Sequence, residues 1–146
     1  MSRLTNNRKM SKITPESFNQ IIQAELPWAA ENNITLDSIG DGHAELRLPY
    51  QLRSLRPGGT IAGPHMMMLA DACMYAVVLS QIGEVKLAVT TNLNINFLRK
   101  PANSDLTAKG QMIKLGKRLA VIEVSIFSDT DIVAHATGTY SIPPSD

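Results

Sequence analysis

The feature that most constrains the fold is a long apolar run at residues 61–82, which contains a single charged residue, Asp71. Gly63-Pro64 stands near its start and Gly83 follows it, so the run predicts one helix that begins near Pro64 and ends before Gly83. At about 1.5 Å per residue, a helix of roughly 19 residues is about 28 Å long, which approaches the length that crosses a membrane. The central carboxylate and the strand-like flanks favour instead a core helix that other elements surround.

Segments with the alternation typical of β-strands lie on both sides of this run. Two short ones, residues 34–39 and 44–48, are joined by Gly40-Asp41-Gly42 and predict a hairpin. Residues 89–97 begin a longer series, which continues in segments of similar length at residues 106–115, 119–127 and 132–142. Because no crossover helix separates these segments, we expect an antiparallel meander of four strands after the helix.

A curved antiparallel sheet that wraps around the apolar helix is the simplest way to bury it. This is the hotdog arrangement, which belongs to the α+β class. A short first helix precedes the sheet, because Thr14-Pro15-Glu16 supplies an N-cap, a favourable first residue and an acid near the positive helix end. Apolar residues then recur at helical spacing, and Pro27 ends the pattern.

The basic start of the chain differs from the rest. Its first twelve residues contain no acid and no apolar run long enough for a secretory signal, but they carry four basic residues, Arg3, Arg8, Lys9 and Lys12. We therefore predict a disordered basic tail at residues 1–12, a single hotdog domain at residues 13–146, and a cytoplasmic location.

The composition argues against several functional classes. The net charge is +1, whereas a nucleic-acid binder usually carries a marked basic excess. The single cysteine, Cys73, cannot form an intrachain disulfide or a cysteine-built zinc site, and His43 and His135 lack metal-ligand spacing. We expect no metal, no cofactor, no nucleic acid and no membrane among the partners of this chain.

Asp71 is the sharpest candidate for chemistry. A carboxylate in an apolar helix is paired, faces solvent or a partner subunit, or is retained for function. Met67 and Tyr75, one turn away on either side, offer no basic partner, which favours a functional role. At the start of the same helix, the Gly63 N–H is a candidate donor to a developing oxyanion, although an ordinary helix start also explains Gly63-Pro64.

Other candidates are weaker. His65 lies six residues before Asp71, about 120° away around the helix, so we favour a subunit contact over catalysis. Cys73 has apolar neighbours, among which a thiol is usually inert. Basic residues gather at two strand ends, where phosphate binding competes with ordinary exposed turns: Arg99 and Lys100, and Lys114, Lys117 and Arg118.

The chain resembles the phenylacetate-pathway-type (PaaI-like) hotdog acyl-CoA thioesterases in four segments that occur in the same order: GTIAGPHMMMLADACMYAV, AVTTNLNINFLRKPA, GKRLAVIEVSIF and IVAHATGTY. The resemblance covers well over half of the chain. It implies that Asp71 acts as a general base on water or as a nucleophile. It also implies that the Gly63 N–H polarises the thioester carbonyl, and that Thr90 positions the water or the carboxylate. The active site would lie between two subunits of a homodimer, which we expect to assemble further into a tetramer.

The sequence departs from the family pattern N-x-x-G-x-x-H-G-G at three positions. Arg56 stands at the Asn position, Ala62 at the His position and Pro64 at the second Gly. Arg56 is a candidate replacement donor at the carbonyl, whereas Ala62 supplies no polar group. The Gly63 N–H is retained, because proline replaces the residue that follows it.

The leading hypothesis is hydrolysis of a medium-chain or aryl acyl-CoA to the free acid and CoA. Arg99, Lys117 and Arg118 are then candidates for binding the CoA phosphates. Two alternatives stay open: a hotdog hydratase or dehydratase that acts on an acyl thioester, and a non-catalytic module that binds acyl-CoA or a fatty ligand. The replacement of family residues by Arg56, Ala62 and Pro64 is what makes the binding module a reasonable alternative.

Overall fold

The structure is a computed structural model that describes residues 10–144. Two helices come first, α1 (Pro15–Glu25) and α2 (Pro27–Glu31), followed by strands β1 (Thr35–Gly40) and β2 (His43–Leu48). A single 3-10 turn (Leu52–Ser54) then leads into the long helix α3 (Gly63–Ile82). Four longer strands complete the chain: β3 (Val89–Phe97), β4 (Leu106–Leu115), β5 (Leu119–Ser128) and β6 (Asp131–Ser141).

Helix α3 is the predicted core helix. Ala62 caps it in an extended conformation, a proline lies in its first turn, and Gly83 ends it with a φ of +86°, which glycine adopts without strain. The helix is long and apolar enough to span a membrane by length and composition, with a mean hydropathy of 1.3, yet 67% of that stretch is buried inside the fold. Every residue from 72 to 80 is buried, so the helix is the centre of the core.

The sheet has six antiparallel strands in the order β1-β2-β4-β5-β6-β3. The prediction of a four-strand meander is therefore wrong in one respect, because β3 pairs with β6 at the edge and β2 takes the place beside β4. The physical reason is that alternation tells which face of a strand is buried, but not which strand is its neighbour. The hotdog arrangement and the α+β class are confirmed.

Two glycines let the sheet pack closely against α3. A Cβ atom at Gly110 would lie 2.7 Å from the Cys73 Sγ, and one at Gly138 would lie 2.5 Å from the Met74 Sδ. Since real Cβ atoms do not approach other atoms so closely, any larger residue at either position requires the facing side chains or the helix to move. This contact buries the thiol completely and fixes the depth of α3 above the sheet.

The first part of the chain that the structure describes adds two details to the predicted layout. Pro27 ends α1 as expected but also begins α2, a short helix that was not predicted and that carries Trp28. Residues 1–9 of the predicted disordered tail lie outside the described residues. The Lys12 N–H donates to the Ser80 carbonyl (2.8 Å) at the end of α3, so the folded chain begins before residue 13.

The two edges of the sheet are finished differently. At β1, the Asn19 side chain of α1 accepts a hydrogen bond from the Leu36 N–H (2.8 Å) and donates one to the Leu36 carbonyl (3.2 Å). At the other edge, β3 pairs only with β6 within residues 10–144, and apolar side chains around its ends are at least half exposed: Val89, Phe97 and Leu98.

Candidate active site

The Asp71 carboxylate is the centre of the candidate site. Its Oδ1 accepts a hydrogen bond from the Thr90 hydroxyl (2.7 Å) and another from the Tyr140 hydroxyl (2.7 Å). Thr90 on β3 and Tyr140 on β6 are direct cross-strand partners, so a single cross-strand pair presents both hydroxyls to the helix. The structure thus brings together two predicted site residues, Asp71 and Thr90.

A β-bulge gives Thr90 its direction. Strict alternation would place Thr90 on the same face as Asn92 and Asn94, away from α3. The register shifts between Thr90 and Asn92, however, so that Thr91 is the extra residue and Thr90 shares the inward face with Leu93. Without this bulge the threonine hydroxyl would point away from Asp71.

Tyr140 is a buried member of the same cluster. Burial, and then the charge of the Asp71 carboxylate, raise the pKa of Tyr140 far above its ordinary value. The phenol therefore keeps its proton at neutral pH and acts as a hydrogen-bond donor. Its ring stacks on that of Tyr75, with the centroids 6.2 Å apart, and the Tyr75 ring in turn contacts Phe18 of α1.

Two adjoining cavities open beside this cluster, and both are lined by Trp28, Asp71 and Thr90. The first has a volume of about 320 Å³ and extends towards Lys86, which forms an ion pair with Glu25 (3.2 Å). The second has a volume of about 270 Å³, and its remaining lining is apolar: Met67, Met68 and Leu93. The carboxylate therefore lies between one space with a cation at its side and another that suits a hydrocarbon group.

Gly63 lies far from Asp71 in the same chain. The two residues are eight positions apart on one helix, which corresponds to about 12 Å along its axis. As the first residue of α3, Gly63 has one of the N–H groups that a helix leaves without an internal acceptor. The Phe97 ring covers it, because a Cβ at Gly63 would lie 3.2 Å from the Phe97 Cζ. One chain alone does not place this N–H beside the carboxylate.

Arg56 is also separate from the carboxylate. It begins a tight turn in which the Arg56 N–H donates to the Thr60 carbonyl (2.8 Å) and the Gly59 N–H donates to the Arg56 carbonyl (3.0 Å). Its side chain is exposed and lines neither of the two cavities. Arg56 therefore belongs with Gly63, at the start of α3, rather than with Asp71.

The three predicted phosphate-binding residues do not form one cluster within a chain. Arg99 pairs with Asp131 (3.1 Å) at the beginning of β6, where both side chains are more than half exposed. Arg118 donates to the Ile142 carbonyl (3.2 Å) beyond the end of β6, beside Lys117. The length of β6, about 33 Å, separates the two places. The antiparallel register is the cause, since it puts the end of β3 and the β4–β5 turn at opposite ends of the sheet.

Sequence reasoning missed three residues of this site. Tyr140 stands in the GTY segment, at an inward position of the last strand, and that position was a usable signal. Lys86 lies in a connecting loop, and Trp28 lies on the unpredicted helix α2; neither gives a local signal, because only the tertiary fold brings them to Asp71.

The remaining candidates stay outside the site. Burial raises the pKa of the Cys73 thiol far above its ordinary value, as expected for an inert cysteine. Burial, and then the charge of Arg53, lower the pKa of His65 below its ordinary value, and His65 lines neither cavity. Within residues 10–144, no three His, Cys, Asp or Glu side chains come together as a metal-binding group.

Comparison with known proteins identifies the family. Residues 58–135, more than half of the chain, match the family described as the Thioesterase superfamily. The matched segment begins in the loop before α3 and includes Gly63, Asp71 and Thr90. The chain belongs to this superfamily, and its fold and sequence are those of a PaaI-like hotdog thioesterase.

Individual relatives agree with this assignment. The crystal structure of a "putative thioesterase" from Silicibacter sp. TM1040 is 38% identical, has a TM-score of 0.83, and matches 94% of this chain and 97% of its own. "Putative esterase SSO1253" of Saccharolobus solfataricus is 30% identical over 75% of this chain and 73% of its own length. The phenylacetic acid degradation protein PaaI of Thermus thermophilus, 20% identical over 80% of this chain and 99% of its own with a TM-score of 0.73, shares the fold. Thioester hydrolysis is the general activity that the family defines.

Proposed function

We propose that the protein hydrolyses an acyl-CoA, with a medium-chain or aryl acyl group, to the free acid and CoA. The observation that carries the proposal is a carboxylate, Asp71, held by Thr90 between a largely apolar cavity and one flanked by Lys86. A thioester that joins an apolar acyl group to an anionic carrier matches this division. The carboxylate lies where its reactive centre would be.

Asp71 acts on the thioester carbonyl in one of two ways. As a general base it takes a proton from water while the water oxygen bonds to the carbonyl carbon; the C–S bond then breaks and the proton passes to the leaving sulfur. As a nucleophile it bonds to the carbonyl carbon itself, the C–S bond breaks, and water later hydrolyses the anhydride. Single-turnover hydrolysis in ¹⁸O-labelled water tests for the nucleophilic route, because ¹⁸O enters the protein only when water attacks the Asp71 side-chain carbonyl of the anhydride.

The second half of the site comes from another copy of the chain. The Gly63 N–H is about 12 Å from Asp71 along its own helix, so it cannot polarise a carbonyl held beside that carboxylate. In a homodimer the Gly63 of one protomer faces the Asp71 of the other. The unpaired β3 edge, with exposed Val89 and Phe97, is the surface on which we place the partner. Assembly of two such dimers into a tetramer remains a prediction.

A shared site also explains the separated basic residues. Lys86, Lys117 and Arg118 lie towards the end of the sheet where Thr90 pairs with Tyr140. Arg99 lies at the opposite end, close to Phe97 and Gly63. When the Gly63 end of one protomer meets the Asp71 end of its partner, Arg99 of the first and the three basic residues of the second approach the same substrate. They can then bind its phosphates from two sides.

The acyl group would occupy the space lined by Trp28, Met67 and Met68. Thioether side chains adapt to different shapes, and the indole forms a flat wall that suits an aryl or a medium-length alkyl group. Trp28→Ala enlarges this space, so we expect the preferred chain length to increase. The kcat/KM values for a series of straight-chain acyl-CoAs check this expectation; an unchanged preference would place the acyl group elsewhere.

The direct experiment measures thiol release from a panel of acyl-CoAs, with wild type and Asp71→Asn side by side. We expect the wild type to turn over at least one medium-chain or aryl substrate and the variant to lose at least about 100-fold in kcat, as is usual when a catalytic group is removed. Asp37→Asn, an exposed carboxylate of β1, is the matched control. Because Cys73 is buried, the thiol reagent reports released CoA rather than the protein. Full activity of Asp71→Asn would disprove the proposal.

The same panel separates the alternatives. Tight CoA binding without thiol release would favour the binding module, and a change in ultraviolet absorbance from double-bond formation or hydration would favour the hydratase. The hydratase chemistry of hotdog relatives uses a histidine with an acid. The Asp71 carboxylate is held by the Thr90 and Tyr140 hydroxyls rather than by a histidine, so we favour hydrolysis.

A further inference from the structure

The two oxygens of the Asp71 carboxylate have unequal surroundings. Oδ1 accepts both O–H groups, one from Thr90 and one from Tyr140. No hydrogen bond among residues 10–144 ends on Oδ2. A carboxylate oxygen has two lone-pair sites, so the two hydroxyls satisfy Oδ1 completely and leave both lone pairs of Oδ2 free.

The Tyr140 hydroxyl is fixed from several directions. Tyr140 is only 3% exposed and lies in β6, between Thr90 of β3 on one side and Ala120 of β5 on the other. Its ring stacks on Tyr75, and its hydroxyl also reaches the Asp71 main-chain carbonyl (3.1 Å). The hydroxyl therefore contacts the side chain and the backbone of the same residue, which determines the side-chain rotamer of Asp71.

We propose that Tyr140 is a positioning residue for the hydrolysis: with Thr90 it holds Oδ1, so that Oδ2 is the oxygen that engages the reacting water or the thioester carbonyl. This inference rests on the proposed function. It applies to the base and the nucleophile routes alike, because either one requires a single carboxylate oxygen with free lone pairs at a fixed place. Tyr140 lines the first cavity, but its hydroxyl donates to the side chain and the backbone of Asp71, so it acts through the carboxylate.

The test is Tyr140→Phe, which keeps the ring stacked on Tyr75 and removes only the hydroxyl. Loss of a hydrogen bond to a charged group predicts a fall in kcat of roughly 10- to 100-fold. KM should stay the same, because the hydroxyl is bonded to Asp71 and the ring that lines the cavity is kept. Tyr50→Phe, outside both cavities, is the matched control and should keep wild-type kcat and KM. Equal melting temperatures of the variants show that the loss is not one of folding.

Double mutants show whether Tyr140 acts through Asp71. In an Asp71→Asn background, we expect Tyr140→Phe to leave the residual rate unchanged, because the oxygen that it positions no longer reacts. In the Tyr140→Phe, Thr90→Val double mutant, kcat should fall by a factor that differs from the product of the two single effects. Wild-type kcat in Tyr140→Phe, or the same fall in rate with and without Asp71, would overturn the inference.

A spectroscopic measurement keeps this test separate from the proposed function. If the wild type hydrolysed no acyl-CoA, the proposed function would fail, but the hydrogen bond to Oδ1 would still be measurable. We expect a slowly exchanging hydroxyl proton in the ¹H NMR spectrum of the wild type that is absent in Tyr140→Phe and shifted in Asp71→Asn. A wild-type spectrum without this resonance, or one that Asp71→Asn leaves unchanged, would overturn the inference by itself.

Discussion

The two edges of the sheet show opposite solutions to the same problem. Every sheet edge presents unpaired N–H and C=O groups that invite another strand. At β1 the Asn19 amide takes the place of a neighbouring strand by bonding both backbone groups of Leu36, and α1 packs against the same strand. At β3 no described residue does so, and Val89 and Phe97 remain about half exposed. One edge is bonded within the chain, and the other is the surface on which we propose that a partner binds.

The difference matters because β3 is also part of the proposed active site. It carries Thr90, which contacts Asp71, at one end and Phe97, which covers Gly63, at the other. A partner strand along this edge would therefore reach both halves of the chemistry at once. Among residues 10–144, none of the proposed site residues lies on β1, so we expect its closure to leave activity unchanged.

Charges on the open edge should give the largest effect. Asn94→Lys with Asn96→Lys places like charges opposite one another in a symmetric interface, and both side chains are exposed within one chain. We expect a folded monomer with at least about a 100-fold loss of turnover, the usual result of removing an oxyanion donor. Light scattering measures whether the variant is a monomer, and the thiol-release assay measures its turnover. Thr35→Lys with Ser38→Lys on β1 is the matched control, which should keep both assembly and activity. A fully active monomer would show that the partner is not needed.

A change at the middle of the sheet should affect stability but not assembly. Gly110→Ala places a Cβ 2.7 Å from the Cys73 Sγ and 2.9 Å from a Val77 methyl group, so we expect the free energy of unfolding to fall by about 1–3 kcal/mol. Denaturant unfolding checks this value. Gln111→Ala, the exposed neighbour on the opposite face, should change it little. Equal stability of the two variants would contradict the close packing of α3 on β4.

The closed edge should show the smallest effect. Asn19→Ala removes two hydrogen bonds to Leu36 from a partly buried position, and we expect a loss of about 1–2 kcal/mol in the free energy of unfolding. Catalysis should stay as in the wild type, because the edge is remote from Asp71. Gln20→Ala on the same helix is the control for helix propensity. If Asn19→Ala changed kcat, the two edges would not be functionally separate.

The sequence predicted the parts of this fold that depend on local patterns of residues. The apolar run with Gly83 after it gave the bounds of α3 closely, and the alternation of residues 89–97 gave β3. Strand order depends on contacts between distant segments, so the pairing of β3 with β6 could not be read from alternation. Strict alternation also gives the wrong face for Thr90, and only the resemblance to the family pointed to it; the bulge at Thr91 is what reconciles the two.

The candidate site was predictable to a similar extent. Asp71 stood out because an apolar helix makes a lone carboxylate conspicuous, and Gly63 because it stands at the start of that helix. Thr90 came from the resemblance alone. Trp28 lies on a five-residue helix and Lys86 in a loop, and neither segment has a recognisable pattern. Only the tertiary fold brings the two residues to the cavity beside Asp71. The separation of Arg99 from Lys117 follows from the sheet register, which a one-dimensional cluster of basic residues does not reveal.

The claim at the centre of this account is that Asp71 of one protomer works with Gly63 of its partner. Asp71→Asn and Gly63→Pro chains, co-expressed with two different tags and purified through both, give a mixed dimer in which one site carries both defects and the other carries neither. Proline removes the N–H of residue 63 and is tolerated at the first position of a helix. We expect each parent homodimer to be inactive and the mixed dimer to recover about half of the wild-type activity, since one of two symmetric sites is intact. A mixed dimer as inactive as its parents would contradict the shared site.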